Sequence, residues 1–245
     1  AQATLPPAAR ISAATESITV SAAAPAVAEA TEVSANFNSK QINELPTGRT
    51  IDDVTRLAPG VNEAGPNNQI VISGANSYDN LFLVDGVVVN ENLRGQPNPL
   101  YVEDAIQETT VMSGAISAEF GRFTGGVVST ITKSGGNEFS GSFRDSLTNP
   151  NWTEKSDYAQ QTDPIDDINS SYEATLGGRI IRDRLWFFTA GRYNKSDLSK
   201  QTSLTNIPYV FTSDDKRYEI KLTGQLTPGQ SVVGSYISSK EHRDN

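Results

Sequence analysis

The chain has 245 residues, room for one large domain or two smaller ones, with a net charge of -9, no cysteine and a single histidine. The missing cysteines exclude disulfides and thiolate metal sites, and the absence of a Lys/Arg cluster argues against a nucleic-acid partner. No run approaches the roughly 18 apolar residues of a membrane-spanning helix, although spanning β-strands stay open because they alternate apolar and polar residues.

Residues 1–35 are rich in Ala, Ser, Thr and Pro and nearly lack large apolar side chains, so they are expected to form a flexible lead. No charged-then-apolar leader opens the chain, which is expected to start after processing or to be a fragment. Within the lead, Glu16-Ser17-Ile18-Thr19-Val20 is one short run of strand-favouring residues.

Residues 36–137 have the texture of a small α+β domain. Ser39 to Leu45 predicts a helical turn ended by Pro46. Thr50 predicts an N-cap, with Asp52 and Asp53 in the first turn where the helix dipole favours acids. Ile51, Val54 and Leu57 then form an apolar helix face, stopped at Pro59-Gly60. Short strands are expected at Ile70–Gly74 and through Leu81–Val89, where Asp85-Gly86 supplies a tight hairpin turn. After a polar loop from Asn90 to Pro99, a helix is expected over Leu100–Ile106 and strands at Glu108–Met112 and after Gly125-Gly126. Local pattern of this kind also fits an unspecified small α+β domain.

From residue 138 the period changes to two. Phe139, Gly141, Phe143 and Leu147 alternate with Ser140, Ser142, Arg144 and Ser146. Tyr172, Ala174 and Leu176 alternate with Glu173 and Thr175, and Tyr218, Ile220 and Leu222 alternate with Glu219 and Lys221. Such runs carry one apolar and one wet face. Two further strands, over Leu185–Asn194 and Gln230–Lys240, have blurred alternation. Each run is about ten residues, the length that crosses a bilayer when tilted. Long links at Thr148–Ser170 and Lys195–Asp215 alternate with tight turns at Ile181–Arg184 and Thr227–Gly229, the pattern of an outer-membrane barrel. A soluble β-sandwich shares the period but seldom alternates its loop lengths so regularly.

An α+β domain followed directly by barrel strands resembles a TonB-dependent outer-membrane receptor of the Oar-like subfamily. Leu45-Pro-Thr-Gly-Arg49 with Leu57-Ala-Pro-Gly-Val61 is similar to the opening helices of that family's plug, and Ile72-Ser-Gly74 with Leu83-Val-Asp-Gly-Val87 to its central strand pair. Ala118-Glu-Phe-Gly-Arg122, Gly125-Gly-Val-Val128 and Ile131-Thr-Lys-Ser-Gly-Gly-Asn137 resemble the plug's glycine-rich end. The resemblance implies a plug at 36–137, transmembrane strands from 138 to 245, and residence in a Gram-negative-type outer membrane. It implies that the plug blocks the pore until an extracellular ligand binds and TonB pulls from the periplasm. Glu16, Ser17, Ile18, Thr19 and Val20 resemble a Ton box, gripped by strand addition. Arg49, Glu119 and Arg122 are the expected plug contacts to the barrel, with Glu173, Arg179, Glu219 and Lys221 as lumen partners. Barrels of this family have about 22 strands, and an open sheet of five would leave edge groups unsatisfied in lipid, so the chain is expected to be a truncated product or a partial sequence. Relatives of the Oar type also often carry an upstream regulatory-type β-domain, where this chain has only its low-complexity lead.

No cofactor or metal is expected: the acidic loop around Asp163, Asp166 and Asp167 lacks metal-loop spacing. No nucleophile elbow, P-loop or zinc helix accompanies His242, so catalysis is not expected. The expected partners are TonB, outer-membrane lipid and an extracellular ligand. Adhesion or surface assembly without transport fits the same residues.

Overall fold

The computed structural model describes residues 32–45, 48–93, 95–152, 166–202, 204–205, 207–227 and 229–244. The Glu16–Val20 run lies outside them. The first strand, β1 (Val33–Asn38), begins inside the stretch expected as lead and pairs antiparallel with β6 (Ile106–Gly114). Asn38 then caps α1 (Ser39–Glu44). Its side chain accepts from the Gln41 N–H while the Gln41 side chain accepts from the Asn38 N–H, a reciprocal box that satisfies two orphan donors.

The second helix, α2 (Ile51–Thr55), starts at Thr50 as expected, with the Thr50 hydroxyl accepting from the Asp53 N–H at 3.1 Å. It is shorter than the apolar spacing predicts. Ile51 and Val54 are buried, but Leu57 lies beyond the helix end and is exposed. Thr55 takes the third inward position, where its hydroxyl is satisfied by donating to the Ile51 carbonyl at 2.6 Å.

The central sheet runs in the order β1-β6-β7-β4-β5, with β7 (Val127–Thr132) parallel to β4 (Leu81–Val84). Strands β4 and β5 (Val87–Val88) close over Asp85 and Gly86. Both residues have positive φ (48° and 79°), the geometry of a two-residue hairpin turn. The Ile70–Gly74 segment joins a separate two-stranded ladder, β2 (Val61–Asn62) with β3 (Val71–Ile72), so it does not pair with β4. Phe82, Ile70, Ile72, Val111 and Val128 fill the core with Ile51 and Val54.

No α-helix forms over Leu100–Ile106. Val102 is extended, a single 3-10 turn covers Glu103–Ala105, and the chain enters β6 at Ile106. The reason is tertiary: Glu103 and Asp104 are both buried, on ion pairs that a helix spread over seven residues would face only in part.

Beyond residue 138 five antiparallel strands form a second sheet in sequential order: β8 (Ser140–Thr148), β9 (Asn169–Ile181), β10 (Leu185–Gln201), β11 (Pro208–Thr227) and β12 (Gln230–Asp244). The expected long link at Lys195–Asp215 is mostly strand, since β10 and β11 stay paired out to Gln201 and Pro208. The ladder continues through this stretch because it needs only backbone groups, not alternating side chains. Phe143, Tyr172, Leu176, Tyr218 and Leu222 face outward and exposed, while Glu173, Thr175, Glu219 and Lys221 face inward and are buried.

Two expected outcomes follow from these faces. Where the exposed outward face of these strands meets a bilayer, Leu222→Arg puts a charge there at a cost of about 2–4 kcal/mol and should abolish membrane assembly, read as loss of heat-modifiable migration. Asp52 is pushed up to about 6 by burial, which outweighs the nearby Arg56 and the favourable helix end. Its folded pKa is raised, so the unfolded chain ionises first and stability falls as pH rises from about 4 to about 6. Asp52→Asn should therefore stabilise the fold by about 1–3 kcal/mol at neutral pH and by nothing near pH 4 in thermal unfolding.

Candidate functional site between plug and strands

Strand register places Arg144, Glu173, Arg192 and Arg217 side by side across β8, β9, β10 and β11. All four project from the inward face. Three arginines flanking one glutamate make a cationic row that must be neutralised from elsewhere, because unpaired buried charge is expensive.

The 3-10 turn supplies the neutralising pair. Arg192 donates to the Glu103 carboxylate, and Arg217 donates to the same oxygen at 3.3 Å. Arg144 Nε forks onto both Asp104 oxygens at 3.0 and 3.1 Å. The Asp104 backbone N–H in turn donates to Glu173 at 3.2 Å, so the turn both accepts from the strands and donates to them. Asp215 closes the row by pairing with Arg217 at 2.6 Å.

Arg49 bridges the two acids that face it. It donates to Asp104 and reaches both Glu173 oxygens at 3.2 and 3.3 Å. Lys133 adds its ammonium to the Asp104 carbonyl at 2.7 Å, and burial pulls its pKa below the ordinary lysine value. Tyr101 is buried beneath Arg217, with its carbonyl accepting from that guanidinium and its hydroxyl accepting from the Ile51 N–H at 3.1 Å. Burial, with Glu103 close by, pushes the phenol pKa up, so Tyr101 stays neutral and ties the row to the start of α2.

A second contact lies closer to the tight turns. Lys221 donates to both oxygens of Asp85 at 3.1 Å and to the Thr132 carbonyl at 3.0 Å. Asp85 also accepts from the Thr132 N–H and hydroxyl. The hairpin turn is thus held by β7 on one side and β11 on the other. Glu219, fully buried between Arg217 and Lys221 on β11, has no hydrogen-bond partner for either oxygen among the described residues. A third contact sits at the turn itself. Asn137 accepts from the Trp186 indole N–H at 2.8 Å and from the Asp183 N–H at 3.0 Å.

Of the residues singled out from the sequence, Arg49, Glu173 and Lys221 meet partners across the two sheets. Arg179 instead donates to the Asn137 carbonyl at 2.8 Å. Glu119 and Arg122 are exposed, form no ion pair among the described residues, and line an open surface groove with Leu81, Leu83 and Phe120. Sequence reasoning missed Glu103, Asp104, Arg144, Arg192 and Arg217. A signal was present: two acids lie between apolar Val102 and Ala105-Ile106, and Arg192 and Arg217 fall on inward faces of their strands.

Comparison with known proteins agrees with this architecture. Residues 26–128 match the family model described as TonB-dependent Receptor Plug Domain. The TonB-dependent transporter Oar of Myxococcus xanthus is 32% identical over 199 residues, covering 76% of this chain and 18% of that protein. The probable TonB-dependent siderophore receptor PirA of Acinetobacter baumannii is 28% identical over 231 residues, 84% of this chain and 29% of that one. Its crystal structure superposes with a TM-score of 0.67 at 24% identity, covering 86% of this chain and 32% of that chain. The outer membrane transporter YddB from Escherichia coli gives 0.67 at 20% identity over 86% of this chain and 33% of that chain. The chain therefore spans less than a third of the curated relatives Oar and PirA.

Removing Glu103 tests the site. Glu103→Gln removes the carboxylate that Arg192 and Arg217 share and leaves them only Glu173 and Asp215, at a cost of up to about 3–5 kcal/mol. It should raise protease sensitivity of the 32–137 block, whereas Glu119→Gln on the exposed groove should change it little.

Proposed function

This chain belongs to the TonB-dependent outer-membrane receptors, and from that premise we propose that its plug gates ligand passage through a barrel and is released by pulling from TonB. The supporting observation is the buried ionic cluster joining Arg49, Glu103 and Asp104 to Glu173, Arg192 and Arg217. Buried ion pairs contribute little net stability, because their attraction is offset by desolvation. They are nonetheless specific in geometry and costly to break one partner at a time. An interface of this kind holds the plug in one seat and lets water replace each partner once the plug moves. A wide apolar interface would instead expose a sticky surface at every cycle.

The grip for TonB is assigned to Glu16, Ser17, Ile18, Thr19 and Val20, ahead of β1. Strand addition draws its affinity from backbone hydrogen bonds, so most side-chain changes there are tolerated. Proline removes a donor N–H and cannot join a sheet interior. In the receptor, Ile18→Pro should abolish TonB-dependent uptake and leave ligand binding at the cell surface intact, while Ile18→Ala should do much less. Uptake that survives Ile18→Pro would remove this run as the coupling site.

A further inference from the structure

The outward face of the strands carries a second row. In register across β8 to β12 stand Asp145, Tyr172, Tyr193, Lys216 and Lys240. Below it, toward the tight turns, the outward positions of all five strands hold no Asp, Glu, Lys or Arg. On β10 this uncharged stretch runs from Leu185 to Tyr193. At about 3.3 Å per residue and a tilt of about 40°, that is about 20 Å of height, close to the apolar band of a barrel wall. Lys216 and Lys240 are therefore the first cations above the hydrocarbon, on the side away from the tight turns.

Their placement is unfavourable by itself. Lys216 and Lys240 lie directly opposite each other on antiparallel strands, where like charges destabilise the pair. Neither forms an ion pair among the described residues, and Lys216 has only the Tyr193 ring at 5.4 Å. Of the other charges on this face, His242 pairs with Asp244 and Lys195 with Asp197, while Asp214, two residues along β11 from Lys216, accepts from the Tyr193 hydroxyl and forms no ion pair among the described residues. Asp145 stands three strands away from Lys216, about 14 Å at the usual spacing. On the inward face the equivalent Arg192 and Arg217 neighbours are resolved by one shared carboxylate, Glu103. Among the described residues, no carboxylate is shared by the outward pair.

We propose that Lys216 and Lys240 share the phosphate of a phosphorylated lipid headgroup in the outer leaflet. This rests on the reading of β8–β12 as bilayer-spanning strands. A lipid is favoured over free phosphate because acyl chains of the same molecule reach Tyr218, Ile220 and Tyr236, the exposed or half-buried side chains directly beneath. Long lysine side chains suit such a site, because their apolar stems can cover a wall while the ammonium stays at the headgroup level.

The test uses the receptor in phosphatidylcholine nanodiscs doped with bisphosphorylated lipid A, or with the same lipid stripped of phosphate. Retained lipid is counted by native mass spectrometry. The wild type should retain the phosphorylated form preferentially, and Lys216→Gln/Lys240→Gln should weaken retention about thirtyfold. The Lys216→Arg/Lys240→Arg variant should retain it, and millimolar inorganic phosphate should not displace it. Each single glutamine variant should weaken retention about fivefold, which keeps the test open if the double variant assembles poorly. Equal retention by wild type and glutamine variants, equal retention of the stripped lipid, or displacement by phosphate would overturn the proposal. Self-association lost in the glutamine variants, with no lipid retained by the wild type, would overturn it in favour of a protein partner. Heat-modifiable migration is read on every sample, so a wild type that never forms a barrel counts against the membrane reading rather than the lysine pair.

Discussion

Two carboxylates pushed into a row of arginines organise the structure. Glu103 and Asp104 are each more than nine-tenths buried, and buried charges are tolerated only when paired. Their partners come from three strands of one sheet and one loop of the other domain, through Arg144, Arg192, Arg217 and Arg49. Satisfying them fixes the conformation of the chain at this point. The 3-10 turn, the extended Val102 and the start of β6 at Ile106 are all consequences of aiming both acids the same way.

The strands serve that row with a strict division of labour. Alternate residues face outward or toward the central sheet, so one β11 segment carries Tyr218, Ile220 and Leu222 outward and Arg217, Glu219 and Lys221 inward. The inward side chains are not wet lumen charges. Lys221 is almost wholly buried and bonded to Asp85 and Thr132, so its charge is part of the seat of the hairpin. The contact at Asn137 adds a third support at the tight turns, with Trp186 as its donor. The plug is thereby held by three groups of polar contacts, each specific in geometry.

The same rule of neutralisation separates the two faces. Inside, adjacent guanidinium groups share a carboxylate that the protein provides. Outside, adjacent ammonium groups at the edge of the uncharged band share no carboxylate among the described residues. Position along the strand, rather than residue type, decides which charges are paired within the fold.

Much of this architecture is legible in the amino-acid sequence. The caps at Thr50 and the turn at Asp85-Gly86 are local, since each depends on one side chain bonding its own backbone or on φ values few residues adopt. The period of two after residue 138 fixes which side chains share a face, because strand geometry allows nothing else. What tertiary structure decided is whatever depends on partners distant in the chain. Thr55 was placed inward and Leu57 outward by where α2 stops. The expected helix at Leu100–Ile106 yielded to ion pairs with residues up to 114 positions away. Lys195–Asp215 became strand because backbone pairing with the neighbouring strand persists without apolar–polar alternation. Periodicity names the faces of an element, but only the folded chain shows which opposing charges each face must meet.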